Sequence, residues 1–187
     1  LTLENNKLSS NGVNILMRSC KGRITGNNIS GGRCGISIYN ASPPISFTNI
    51  TDESYLMGTG IHLSRCSSTI ESIVINLTWE NATACVCEVR SSPKIANTII
   101  TLQDLTSVKY CKVTGDSHPR LVDSYIKSGR SMVLDNSSIN ISESFQLEVT
   151  DSRSVPVDRA RIQLDGREIT TFSNGSTSRE LFEIMTI

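Results

Sequence analysis

A short apolar motif repeats along the chain about once every two dozen positions. Each copy places two apolar residues at positions i and i+2, and successive copies begin at nearly even intervals. Residues i and i+2 share one face of a β-strand, so each copy predicts a short strand with both side chains pointing inward. The six predicted inward pairs are Val13/Ile15, Ile36/Ile38, Ile61/Leu63, Cys85/Cys87, Val108/Tyr110 and Met132/Leu134.

A second apolar pair, with its members five residues apart, follows each of the first five copies. One such unit cannot bury its apolar face alone, but stacked units form a continuous core. Polar turns rich in Ser, Asn, Gly and Pro separate the pairs, and no helix pattern of three turns occurs. The repeat therefore predicts an all-β parallel β-helix of about six turns. The second pairs are Ile24/Ile29, Ile45/Ile50, Ile70/Ile75, Ile95/Ile100 and Leu121/Ile126.

Two stretches of this repeat resemble those of a known superfold. The sequences "GISIYNASPPISFTNIT" and "VNILMRSCKGRITGNNIS" are similar to repeats of right-handed parallel β-helix proteins of the pectate-lyase-like class. We assign residues 1–148 to this domain. The resemblance implies an architecture rather than an activity, because the fold is shared by lyases, hydrolases, tailspikes and adhesins.

The repeat breaks down after residue 148. Alternating apolar residues and the hairpin signals "DG" and "NG" predict antiparallel strands in residues 149–187. This segment resembles the start of a carboxypeptidase-regulatory-like, transthyretin-like β-sandwich and covers about half of such a module. We expect the remainder to come from a longer surface protein or from a partner. The matching positions are Asp151, Pro156, Val157, Ala160, Ile162, Leu164, Thr171, Gly175 and Thr177.

Composition narrows the partners that can be expected. The 18 basic and 18 acidic residues balance, so nothing suggests nucleic-acid binding. The apolar runs are too short to span a bilayer. A β-helix exposes unpaired backbone groups at both ends, and we expect neighbouring domains or other copies of the chain to cap them.

Six cysteines invite a disulfide interpretation, but the repeat argues against a complete framework. Cys85 and Cys87 occupy inward positions, where free thiols act as small apolar side chains. Cys20 and Cys66 lie two turns apart, further than a disulfide can reach. We favour buried free thiols, with a single disulfide or a metal site as alternatives. We predict no metal or other cofactor, because "CVC" needs further ligands and His62 and His118 lie on other turns.

The sequon N-x-S/T occurs at eight of the 14 asparagines, whereas chance predicts three or four. Turns that favour Asn and Ser together are one explanation. Glycosylation of an exported protein is the other. The candidate sites are Asn28, Asn40, Asn49, Asn76, Asn81, Asn136, Asn140 and Asn174.

Acidic residues at equivalent positions of the predicted turns form no complete catalytic set. Glu80 and Asp104 share a phase on adjacent turns, and Glu88 and Asp135 share another two turns apart, but no third acid joins either pair. The histidines lack a nucleophile nearby in the pattern. We therefore predict no catalytic residue and treat these acids as solvated turn charges.

Basic residues repeat more regularly after the first strand of each turn. Such a ladder of cations could bind carboxylated or sulfated glycans, or could keep a sheet edge charged against pairing. Asn40 and Asn136 take the same phase on the remaining turns. The candidate ligand-binding residues are Arg18, Arg65, Arg90 and Lys112.

Three functions are consistent with these patterns. We favour a non-catalytic structural or adhesive module of an exported, cell-surface or extracellular protein, able to assemble with its own copies. One alternative is a module that binds acidic polysaccharides. The other is a polysaccharide lyase or glycoside hydrolase of the β-helix class. The near-constant predicted turn length argues against this enzyme, because active-site loops lengthen individual turns.

Overall fold

A computed structural model describes residues 1–9, 12–52, 57–102, 109–127, 130–145, 149–164, 167–174, 176 and 180–186. All elements in these ranges are β-strands, and none of the ranges contains a helix long and apolar enough to cross a membrane. The predicted all-β class is confirmed. The chain divides into two compact units, residues 1–141 with 185–187, and residues 142–184.

Three parallel sheets form the first unit. Sheet 1 is built from the longest strands and has the order β18-β15-β12-β9-β6-β3. Its strands are β3 (Val13–Arg18), β6 (Cys34–Tyr39), β9 (Thr59–Ser64), β12 (Thr83–Glu88), β15 (Lys109–Val113) and β18 (Arg130–Val133). Sheet 2 runs through β1 (Thr2–Glu4), β4 (Arg23–Thr25), β7 (Ile45–Ser46), β10 (Thr69–Glu71), β13 (Lys94–Ala96), β16 (Arg120–Val122) and β19 (Asn140–Phe145). Sheet 3 contains β2 (Lys7–Ser9), β5 (Asn28–Ser30), β8 (Asn49–Thr51), β11 (Val74–Leu77), β14 (Ile99–Leu102) and β17 (Tyr125–Ile126).

Each turn of the chain adds one strand to each sheet in the same cyclic order. Strands on adjacent turns are therefore neighbours in each sheet, and from β1 to β18 all these neighbours pair in parallel. The result is a parallel β-solenoid of about five turns, consistent with a right-handed parallel β-helix. The turns stack at the usual strand spacing of about 4.8 Å.

Isoleucines fill the interior of sheets 2 and 3 in continuous files. Ile24, Ile45, Ile70 and Ile95 pair in sequence down sheet 2. A parallel file descends sheet 3 and includes Ile75 and Ile100. Most members of both files are at most 3% exposed. The predicted second pairs are confirmed in all five turns for which they were stated.

Sheet 1 confirms the predicted inward pairs only in its central turns. Ile36, Ile61 and Cys85 form one inward file, but the file continues to Cys111 rather than Val108. At the start of the sheet the buried pair is Ile15 and Met17, and Val13 is 44% exposed. On the last strand Met132 and Leu134 are exposed, and Ser131 and Val133 continue the inward files.

The reason for these errors is uneven turn length. The step along the first inward file is longest between Cys85 and Cys111 and shortest between Cys111 and Ser131. The predicted repeat has a nearly constant number of residues per turn. That number assigns the inward residues correctly in the central turns and incorrectly at both ends of the sheet. The predicted near-constant turn length is therefore wrong, and it no longer counts against an enzyme. In chain order the members of the file are Ile15, Ile36, Ile61, Cys85, Cys111 and Ser131.

Steric contact between adjacent turns explains why glycine opens the repeated "GI" motif. A Cβ atom on Gly60 would lie 2.7 Å from the carbonyl oxygen of Ala84, and one on Gly35 would lie 2.7 Å from that of Gly60. Side-chain carbon atoms do not approach carbonyl oxygens this closely. The backbones of adjacent turns can pack together here only where the side chain is minimal.

Buried hydroxyl and amide side chains satisfy the backbone at the corners. After sheet 1, the amide of Ser91 donates to Ser117 Oγ, and the amide of Ser117 donates to Ser137 Oγ. Between sheets 2 and 3, the Asn27 side-chain amide donates to the Leu3 and Thr25 carbonyls. Because buried backbone groups need partners, these contacts explain the abundance of Ser, Thr and Asn in a protein with a large core.

The second unit is antiparallel where its pairing is described. β20 (Arg161–Leu164) and β21 (Arg167–Thr170) form a hairpin in which Leu164 pairs with Arg167, and β22 (Glu180–Thr186) lies beside β19. Thr171 is buried and its hydroxyl donates to the Val157 carbonyl at 2.6 Å. The antiparallel strand pair predicted around "DG" is confirmed.

Candidate functional site

A hydrogen-bonded polar cluster covers the outer face of sheet 1. We call it the outer network and define it as Arg18, Ser37, Tyr39, His62 and Glu88. Tyr39 Oη lies 3.2 Å from His62 Nδ1, Ser37 Oγ lies 3.5 Å from the same nitrogen, and His62 Nε2 lies 3.2 Å from Glu88 Oε2. The Arg18 guanidinium lies 5.3 Å from the centre of the Tyr39 ring, within cation–π range.

Strand alternation and register bring this cluster together. Ile36 and Ile38 point inward, so Ser37 and Tyr39 point outward. Ser37 pairs directly with His62, while Tyr39 and Glu88 lie in the neighbouring outward file on the turns before and after His62. The expectation that His62 has no nucleophile nearby is wrong, because Ser37 pairs with it across one turn, and the acids were compared only with other acids. A test of outward His, Tyr and Glu on adjacent turns would have found the cluster.

The geometry limits what the outer network can do chemically. A neutral His62 ring with its proton on Nε2 donates to Glu88 and accepts from the Tyr39 hydroxyl, so both nitrogens are engaged. Ser37 is only 3% exposed, and its hydroxyl cannot reach a polymer on the surface. The hydroxyl–imidazole–carboxylate order is that of an acid–base relay, but its potential nucleophile is buried.

The four predicted ligand-binding cations do not form a single ladder. Arg18 pairs with Tyr39 in one outward file, and Lys112 pairs with Val86 in the adjacent file. Arg65 and Arg90 lie beyond the strand ends, at corners where their φ angles are +56° and +60°. The prediction that these four residues occupy the same position in successive turns is wrong. It failed because the turns differ in length.

Arg65 and Arg90 nevertheless lie together. They line a shallow surface groove of about 540 Å³ with Ser42, Ser67 and Val89. Both arginines are exposed. Two guanidiniums beside hydroxyl groups are suited to binding carboxylate or sulfate groups.

The predicted acidic pairs have other environments. Glu88 belongs to the outer network, and Asp135 Oδ2 accepts a hydrogen bond from the Gly115 amide at 3.0 Å. Glu80 is exposed in a turn, and its proposed neighbour Asp104 lies outside the described residues. His118 is bonded at the surface to Asp116 and Ser138.

Seven of the eight sequon asparagines are exposed, and Asn140 is half-buried. Asn28 and Asn49 pair directly on adjacent turns of sheet 3. Phe47 is 70% exposed two residues before Asn49, with a φ angle of +48°, and lines a shallow groove with both asparagines. Phe172, 58% exposed, likewise precedes the sequon residue Asn174 by two positions.

Three cysteines form a compact group inside the solenoid. Cys85 and Cys87 point inward from β12, and Cys111 pairs with Cys85 from the next turn. The three sulfur atoms all lie within 4.8 Å of one another. Sequence reasoning placed Cys85 and Cys87 correctly but missed Cys111, because it assigned Val108 and Tyr110 to that turn.

Burial and mutual hydrogen bonding change the acidity of several thiols. The pKa of Cys85 is lowered well below its usual range, because the Cys111 and Cys87 thiols donate to its sulfur. The pKa values of those two donors are raised. Elsewhere, burial raises the pKa of Cys34 to about 11.

Comparisons of this chain with protein-family models, with curated proteins and with solved structures found no match.

Proposed function

We propose that this chain is a non-catalytic structural or adhesive β-solenoid module of an exported surface or extracellular protein. The observation that supports this most is the state of the outer network. Its imidazole has both nitrogens engaged by residues of its own sheet, and its serine is buried. A cluster that satisfies itself in this way links three turns of the solenoid rather than presenting groups to a substrate.

An activity assay tests the non-catalytic part of this proposal. The full chain is incubated with neutral and acidic polysaccharides, including polygalacturonate, and the release of reducing ends and of unsaturated products is followed. We expect no product above the protein-free control. Product that forms with wild-type protein and disappears in His62→Ala would show that the module is an enzyme.

Assembly is the second part of the proposal. In the described part of the chain, β3 is the terminal strand of sheet 1 on one side, so its outer backbone edge is available to a neighbouring domain or copy. We expect the mass measured by light scattering to rise with protein concentration. A constant monomer mass over the accessible range would contradict self-assembly.

We propose that the C-terminal unit is the start of a transthyretin-like β-sandwich. The β20–β21 hairpin, the isolated bridge between Thr150 and Pro156, and the buried Thr171 support this assignment. We propose that further strands, from a longer chain or a partner, complete the sandwich. A structure of the complete natural protein tests this, and a finished domain of another topology would contradict it.

We further propose that the exported protein is glycosylated, and the environment of Asn49 makes it one candidate site. The exposed Phe47 ring precedes Asn49 by two residues in a turn, where the apolar face of the first sugar can pack on it. Expression in a glycosylating secretory host and site-by-site mass spectrometry should show higher occupancy at Asn49 than at Asn28. Phe47→Ala should lower occupancy at Asn49 only, and unchanged occupancy would contradict the role of the ring.

Binding of acidic glycans is a second candidate function, supported by the groove that contains Arg65 and Arg90. The test compares the double variant Arg65→Gln/Arg90→Gln with Lys94→Gln/Arg120→Gln, which removes two adjacent cations that pair on sheet 2. If the groove binds, polygalacturonate or heparin affinity falls at least tenfold in the first variant and little in the second. Equal losses of affinity in both variants would show that binding depends only on nonspecific charge and would contradict a site in the groove.

A further inference from the structure

The interior of the solenoid contains a group of soft metal ligands that the proposed function does not use. Cys85, Cys87 and Cys111 are each at most 2% exposed. Cys85 Sγ and Cys87 Sγ are 3.6 Å apart, and no pair among the three sulfurs exceeds 4.8 Å. Other turns place isoleucine, leucine or methionine at these inward positions, so the core itself does not require thiol groups here.

We propose that these three sulfur atoms bind one soft d¹⁰ metal cation, with Cu(I) as the biological candidate and Cd(II) as a second thiolate-binding probe. Thiolate–metal bonds are about 2.3 Å long, so three sulfurs around one ion lie about 4.0 Å apart. The observed separations of 3.6 Å and up to 4.8 Å bracket this value.

The donor set determines which ions fit. Thiolates favour soft cations, whereas Mg²⁺ and Ca²⁺ need oxygen ligands. Structural Zn²⁺ takes four ligands, and within the described ranges the ligand group around these sulfurs has three members. A cation that accepts two or three sulfur ligands therefore suits this site better than zinc.

Proton release accompanies binding, since each sulfur that binds as a thiolate loses its proton to water. Net charge in an apolar interior is costly, so three thiolates around Cu(I), which would leave a charge of −2, are disfavoured. Two thiolates with one thiol around Cu(I), or three thiolates around Cd(II), each leave a single negative charge. Relative to three neutral thiols, we expect two protons to leave with Cu(I) and three with Cd(II).

The burial of the three cysteines determines how an ion reaches them. Because the site is buried, the ion enters when the strands open transiently or while the chain folds.

The experiment uses the reduced full chain under anaerobic conditions. Cu(I) or Cd(II) is titrated in, and ultraviolet sulfur-to-metal charge-transfer absorption, native mass and thermal unfolding are measured. We expect one equivalent bound and a higher Tm, with no effect from Mg²⁺. Folded wild-type protein that shows neither the absorption nor the Tm shift would overturn the proposal.

Two variants separate this site from general thiol binding. Cys111→Ala removes one ligand, and Cys66→Ala is the matched control, because Cys66 is 1% exposed but lies outside the group. Cys111→Ala should lose the absorption and the Tm shift while Cys66→Ala keeps both. Circular dichroism verifies folding, and Cys87→Ala replaces Cys111→Ala if that variant does not fold. Retention of one bound ion in the folded ligand variant would refute the site.

Discussion

His62 Nε2 lies 3.2 Å from Glu88 Oε2, although the two residues are separated by 26 positions in the sequence. The contact joins adjacent turns of the solenoid on the outer face of sheet 1. Tyr39, on the turn before, contacts the other ring nitrogen of His62. Three consecutive turns are thus connected by side chains as well as by backbone hydrogen bonds.

A double-mutant cycle measures the strength of this connection. The side chains of His62 and Glu88 are 21% and 34% exposed, so their contact is shielded more than a surface ion pair. We expect His62→Ala and Glu88→Ala to show a coupling of about 1 kcal/mol in chemical unfolding. The exposed pair Arg23 and Glu4, at 3.3 Å, should couple by less than about 0.5 kcal/mol. Equal couplings would mean that the outer network has no special role.

Ile99 and Ile100 provide a matched test of the interior. They are adjacent on β14, but Ile99 is 46% exposed and Ile100 is 1% exposed. Ile100→Ala removes a member of the sheet 3 file and leaves a cavity, so unfolding free energy should fall by about 2–5 kcal/mol. Ile99→Ala should cost less than about 1 kcal/mol. The reverse order in urea unfolding would show that the strand faces the other way.

Gly60 tests the close approach of adjacent turns. Gly60→Ala places a Cβ atom 2.7 Å from the Ala84 carbonyl oxygen, and the strands must separate to accept it. We expect a loss of about 1–3 kcal/mol. Gly12→Ala is the control, since no atom lies within 4 Å of its added Cβ, and it should change stability by less than about 0.5 kcal/mol. Thermal unfolding that treats the two variants alike would contradict this packing.

Cys34 should make the protein less stable in alkaline solution. Burial raises the pKa of Cys34 from 9.0 to about 11, so between these values the unfolded chain loses its thiol proton and the folded chain keeps it. The unfolded state is therefore favoured as pH rises through this window, by up to about 2–3 kcal/mol at its upper end. Below pH 9.0 the contribution is constant.

The difference between wild type and Cys34→Ala isolates this effect from other groups that titrate at high pH. Unfolding free energies are measured for both proteins from mildly alkaline pH to the alkaline limit. The wild-type curve should fall more steeply above pH 9.0. Parallel curves would show that Cys34 is as accessible in the folded as in the unfolded chain.

Much of the fold could be predicted because an isoleucine file is visible in a sequence. In sheets 2 and 3, pairs such as Ile45/Ile50 and Ile70/Ile75 keep a five-residue separation that the structure retains. Sheet 1 was harder, because several neighbouring residues are apolar at the ends and the turn length is uneven. Tyr110 shows the difficulty: it is buried, yet Cys111 occupies the file below Cys85.

The site could be predicted only in part for a related reason. Arg65 and Arg90 meet because both follow strands of sheet 1, which the repeat indicated. The outer network and the sulfur group depend on register to within one residue, since one step turns a side chain to the opposite face. Because the inward residues of the fifth turn were assigned to Val108 and Tyr110, Cys111 was not predicted to join the sulfur group. The contacts of His62 with Tyr39 and Glu88 were not predicted, because residues of different types on adjacent strands were not compared.

The central claim is that equivalent residues of successive turns lie directly above one another in parallel register. Nuclear Overhauser contacts in isotope-labelled protein test it most directly, at Ile61, Cys85 and Cys111 of sheet 1. The account predicts cross-strand contacts between the backbone protons of Ile61 and Cys85, and between those of Cys85 and Cys111. Absence of these contacts in the folded protein, or an antiparallel pattern between β9 and β12, would contradict the solenoid and the sites derived from it.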